Sequence, residues 1–96
     1  PDSALLHFDE AIALDAEYLP AYFYAGSVCL EESAFEMAIT YIDKGLALDG
    51  GNSSLIFYKG AALVEMDQRR EGCRYLSKAF YSGIDDAAGY LKEYCY

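Results

Sequence analysis

The sequence predicts an all-α protein of about six helices, stacked as antiparallel hairpins, within a single 96-residue domain. Three observations predict it. The only prolines are Pro1 and Pro20, so the interior is nearly free of helix breakers. Apolar residues recur at steps of three and four, and no stretch sustains the strict alternation of a half-buried strand. Finally, one pattern returns at a fixed interval: Gly26 and Gly60 stand 34 residues apart, and many other positions keep that step. Such a period is the mark of a stacked array of helical hairpins.

Each element follows from local grammar. In residues 35–48, Phe35, Ala38, Ile39, Ile42, Leu46 and Leu48 fall mostly three and four apart. Breaks stand at Asp49-Gly50-Gly51-Asn52, at Gly83-Ile84-Asp85-Asp86 and around Ala16-Glu17-Tyr18. Shorter turns are expected near Glu32-Ser33 and Asp67-Gln68. Helices are therefore predicted at about 3–15, 19–32, 35–48, 53–66, 69–82 and 86–95.

The repeat is read by subtraction. Ala4, Ala38 and Gly72 form one column, and Phe8, Ile42 and Leu76 a second. Ala11, Gly45 and Ala79 follow, then Leu14, Leu48 and Ser82, then Tyr22, Ile56 and Tyr90. Most columns keep small with small or large with large. Ala38, Ile42 and Gly45 lie on one helix face, where small groups permit close approach and the larger one fills the space between. Tyr22, Ala25, Gly26 and Cys29 form the facing stripe. A glycine inside a helix costs about 1 kcal/mol against alanine, so Gly26 is expected to serve packing.

These columns resemble the tetratricopeptide repeat. That family places a large residue, Gly and Tyr-type positions in a first helix, and Ala, an aromatic and Ala in a second. Residues 19–52 supply Tyr22, Ala25, Gly26, Cys29, Phe35, Ala38, Ile42, Gly45 and Asp49. Residues 53–86 supply Ile56, Gly60, Leu63, Gly72, Leu76 and Ala79. Residues 1–18 match a second helix alone, through Ala4, Phe8, Ala11 and Asp15, and residues 87–96 match a first helix alone, through Tyr90. The pattern departs from the family at Gly50 and Ile84, which replace its proline, at Lys59, which takes an apolar position, and at Gly72, which replaces alanine.

The resemblance implies a right-handed α-solenoid whose first helices line a concave peptide-binding surface. Its groove positions fall here on Pro20, Phe23, Ser27, Leu30 and Glu31, on Ser54, Phe57, Ala61, Val64 and Glu65, and on Leu91. Phe23 and Phe57 are expected to form an aromatic ladder, with Glu31 and Glu65 at one rim. One subtype of the family clamps a C-terminal carboxylate with Lys and Asn, where this chain has Phe23, Ser27, Phe57 and Ala61. An apolar peptide with basic flanks suits the surface better. Coverage of both phenylalanines by a neighbouring repeat is the competing expectation.

Composition narrows the function. Sixteen acidic residues oppose seven basic ones, a net charge of −9, which argues against a nucleic-acid partner. The one dense cationic cluster is Arg69, Arg70 and Arg74. No apolar run reaches the roughly 20 residues of a membrane span, and no targeting segment is legible. The chain opens at Pro1 rather than Met, so the compartment stays open. The single histidine, His7, has no second ligand in metal-binding spacing, and no phosphate loop or nucleophile elbow occurs. No cofactor or enzyme activity is expected.

Cys29 reads as a small buried hydrophobe. Cys73 faces the next hairpin and Cys95 comes back alongside it, so a disulfide and a pair of free thiols at a packing seam both fit. Ten tyrosines, with Tyr24/Tyr58 and Tyr41/Tyr75 at the 34-residue step, suggest packing between repeats with hydroxyls reaching solvent. The apolar stripe of the first helix, Leu5, Phe8 and Ile12, is expected to be partly uncovered, as in the end of a longer array. Three functions fit: a protein-binding module of a scaffold or adaptor, a self-associating segment, or a helper to an enzyme elsewhere in a longer chain.

Overall fold

The computed structural model describes residues 2–96, with side chains from Leu5 onward, so Ala4 of the first column lies outside the described side chains. Five long helices follow in order: α1 (Asp2–Leu14), α2 (Leu19–Glu31), α3 (Phe35–Leu48), α4 (Ser53–Glu65) and α5 (Arg69–Tyr81). A sixth, α6 (Ala87–Tyr90), widens at once into a π-helical turn over Leu91–Cys95. Consecutive helices pack on one another, and α2 also touches α4 across the stack. The result is an all-helical array of hairpins, α2 with α3 and α4 with α5, measuring 42 × 24 × 18 Å.

The turns repeat as well as the helices. Ser33, two residues past the end of α2, takes φ 59°, and Asp67, two past the end of α4 and 34 residues later, takes φ 64°. In both, an amide reaches back five residues to close the helix: Ala34 N–H to the Cys29 carbonyl at 2.8 Å, and Gln68 N–H to that of Leu63 at 2.9 Å. At the end of α5, Gly83 takes the left-handed position with φ 105°, and Ile84 N–H closes on Ala79 at 3.0 Å. The start of α4 is capped by Asn52, whose side-chain oxygen accepts from Leu55 N–H at 3.0 Å. Pro20 lies in the first turn of α2, where its missing N–H costs nothing.

Two apolar clusters hold the stack. Cys29, Ala38, Ile42 and Leu55 centre the first, and Ile56, Val64, Leu76, Ala79, Ala87 and Leu91 the second. Leu46 touches both. Among the described residues no polar side chain is buried. The two hairpins close differently. A Cβ built on Gly26 would come within 2.9 Å of the Ile42 side chain. One on Gly72 would lie 2.9 Å from the Val64 nitrogen and 3.0 Å from the Gly60 carbonyl oxygen. In the second hairpin, backbone meets backbone.

The structure also explains Lys59, which stands where the preceding hairpin has Ala25. Its ammonium reaches Asp43 on α3 at 2.7 Å and lies 5.0 Å from the centre of the Tyr75 ring on α5. Burial opposes the charge, but the Asp43 bond and the field of Asp43 and Tyr75 outweigh it, and the pKa rises. One repeat earlier the same two columns meet directly: Tyr41 on α3 donates to Asp9 on α1 at 2.6 Å. Desolvation, then that bond, pushes the Tyr41 hydroxyl up to about 12. α1 thus has a polar tie to the stack, while its stripe of Leu5, Phe8 and Ile12 is half-buried and Leu14 is 90% exposed.

Candidate functional site: an aromatic face across the first helices

The expected groove positions of α2 lie on the side opposite its buried stripe of Tyr22, Ala25, Gly26 and Cys29, whereas α4 is buried around most of its girth. On α2, Pro20 and Glu31 are exposed, and Phe23, Ser27 and Leu30 are half-buried. On α4, Ser54 and Phe57 are half-buried and Glu65 is exposed. Three expected positions are not presented. Ala61 and Val64 are each 3% exposed, as is Leu91. Val64 leans onto α5 because the glycine contact draws the two helices together. Leu91 enters the second core cluster with Ile56 and Leu76. The central helix is therefore more deeply set than α2 at matching positions.

The aromatic residues form a longer series than the two phenylalanines expected. Phe23 and Phe57 do not stack on one another; Tyr58 stands between them. Ring centres run Phe8 to Tyr24 at 6.2 Å, Tyr24 to Phe23 at 5.2 Å, and Phe23 to Tyr58 at 5.2 Å. The series continues from Tyr58 to Phe57 at 5.8 Å, to Tyr90 at 5.5 Å and to Tyr94 at 6.0 Å. It spans α1, α2, α4 and the terminal segment without a break. Spacings of this size are those of stacked and edge-on aromatic pairs, which stabilise by about 0.5–1.5 kcal/mol beyond area burial. Tyr24 remains 54% exposed.

Carboxylates border this face. Tyr94 donates its hydroxyl to Glu65, and that bond, with burial and the local charge, pushes its pKa up to about 12. Tyr90 is raised by burial and then by the fields of Glu65, Glu93 and Asp86. The terminal end of the face is electronegative. Cys73 and Cys95 are joined by a disulfide with Cα atoms 5.9 Å apart, which anchors the π-helical turn to α5. The free cysteine, Cys29, is buried, and burial raises its thiol pKa.

Sequence reasoning missed the polar tie between repeats. Asp9 and Asp43 stand 34 apart, as do Tyr41 and Tyr75, so the pairing was there to be found in the columns. It was masked because Lys59 stands between the second pair. The π-helical turn left no comparable signal. Among the described residues no group of three or more His, Cys, Asp or Glu side chains could hold a metal ion. None of their helices is long and apolar enough to cross a membrane. What the fold defines is a class: an all-helical, repeat-like stack of hairpins. No protein-family model matches the chain, and no curated protein is significantly similar to it.

Proposed function

We propose that the chain is a tetratricopeptide-like module that binds an apolar peptide or helix with basic flanks. It binds on the face formed by α2, α4 and the terminal segment, without catalysis, as part of a scaffold or adaptor. The observation that carries this reading is the unbroken aromatic series across successive first helices, with Tyr24 half open to solvent. Aromatic side chains offer large contact area at low entropic cost and are enriched among interface anchors. Exposed Glu31 and Glu65 favour lysine or arginine beside the apolar segment. Buried Ala61 and Val64 narrow the contact to the aromatic rings and the rims.

Selection from a randomised peptide library on the immobilised protein tests the reading. Enriched peptides should pair aromatic or aliphatic residues with flanking Lys or Arg, and a Tyr24→Glu/Glu31→Lys variant with unchanged circular dichroism should lose them. No enrichment, or equal binding by that variant, would refute the proposal. A second reading, self-association through α1, is favoured by Leu6 and Leu14, 58% and 90% exposed. It predicts a concentration-dependent mass in light scattering that Leu6→Glu/Leu14→Glu abolishes.

A further inference from the structure

The charge on this molecule is not spread evenly. Helix α5 carries Arg69, Arg70, Arg74 and Lys78 against a single carboxylate, Glu71. The rest of the chain holds the other three basic residues and fifteen of the sixteen acidic ones. Arg70, Arg74 and Lys78 recur at steps of four, so they form one stripe along the helix, opposite the core stripe of Gly72, Leu76 and Ala79. All three are exposed, and none makes an ion pair among the described residues; the pairs formed are Lys59 with Asp43 and Arg69 with Asp67. Beside the stripe lies a shallow cleft lined by Glu71, Arg74, Tyr75 and Lys78. Tyr81, 86% exposed, continues the same line one turn further on.

We infer that this outer face of α5 is a second binding surface, taking a short acidic segment of a partner protein along the Arg70–Arg74–Lys78 stripe. The two ends of the stripe are eight residues apart, about 12 Å along the axis, which matches three or four residues of extended chain. Guanidinium groups donate two parallel hydrogen bonds to a carboxylate in a forked geometry, and the cleft edge at Tyr75 offers a surface for an apolar neighbour. Extended polyanions suit the site less well. A duplex or an anionic bilayer is a wide negative surface that would also meet the acidic remainder of the molecule, whereas a short segment touches the stripe alone. The surface lies on second helix α5, away from the aromatic face of the first helices, and needs no occupant there.

A fluorescein-labelled oligoglutamate peptide, followed by fluorescence anisotropy at low salt, tests the inference on the intact chain. The peptide should bind, bind less as salt rises, and bind roughly tenfold or more weakly to Arg74→Glu/Lys78→Glu, since several charge contacts are reversed together. Arg70→Lys/Arg74→Lys, which keeps the charge and loses the fork, should bind with intermediate strength, and Tyr24→Glu should keep all of the binding. Absence of peptide binding, equal binding by the charge-reversed variant, or preference for phosphatidylserine vesicles or a nucleic-acid duplex over the peptide would overturn it. Circular dichroism of each variant separates lost binding from lost fold.

Discussion

The two hairpins share a period and a fold but close their seams in different ways. In α2/α3, Gly26 faces the Ile42 side chain, and Ala38 keeps a methyl group at the small column. In α4/α5, Gly60 faces Gly72, so the helices meet backbone to backbone and Val64 is pulled into the seam. The neighbouring position differs in the opposite sense: Ala25 in the first hairpin is Lys59 in the second, which reaches out to Asp43 and Tyr75. A repeat conserves geometry, then, through more than one local solution.

The difference can be broken directly. Gly72→Ala should destabilise the protein by about 3 kcal/mol, because the new methyl meets main-chain atoms that cannot turn aside. Gly26→Ala should cost less, about 2 kcal/mol, since only the Ile42 side chain and no main chain must shift and alanine favours the helix. Urea denaturation of both variants checks the order; equal losses would show that the two seams are alike. Cys95→Ser should cost about 3 kcal/mol, from loss of a crosslink spanning 22 residues. Hydrogen exchange should then rise over Leu91–Cys95 and remain unchanged in α2/α3, setting the stapled end apart from the rest.

Smaller effects sharpen the comparison. Ser33→Gly and Asp67→Gly relieve the same left-handed strain in the two hairpins and should each stabilise by about 1 kcal/mol in thermal melts. A gain at one turn alone would show that the turns are not equivalent. The smallest effect is in pH dependence. The Tyr41 hydroxyl is raised from 10 to about 12 in the folded protein, so its bond to Asp9 contributes fully below pH 10. That contribution is lost as pH rises through the folded value. Tyr41→Phe should therefore flatten the alkaline loss of stability between pH 10 and 12, and an unaltered profile would contradict the tie.

Most of the fold was legible because helical period and the 34-residue step are properties of spacing alone. Predicted boundaries at 19, 35, 53 and 69 match the helix starts, each marked by a turn or cap residue. The terminal segment was less legible. A π-helical turn is set by tertiary demands, here the burial of Leu91 and the bond between Cys73 and Cys95, and neither changes the apolar spacing. The candidate face was legible on α2 and only half so on α4. Sequence columns place Ala61 and Val64 on the same helix side as Ser27 and Leu30, but depth depends on neighbours. α4 lies between α2 and the terminal tyrosines and is drawn onto α5 by Gly60 and Gly72, so its small residues sink.

The central claim is that the aromatic face is where a partner binds. Titration of the isotope-labelled protein with a library-selected peptide, followed through aromatic-ring NMR signals, tests it most directly. The account predicts that Phe23, Tyr24, Phe57, Tyr58 and Tyr90 shift together and saturably, while the rings of Tyr41 and Tyr81 stay still. Shifts confined to α1, or shifts that follow protein concentration without any peptide, would contradict it.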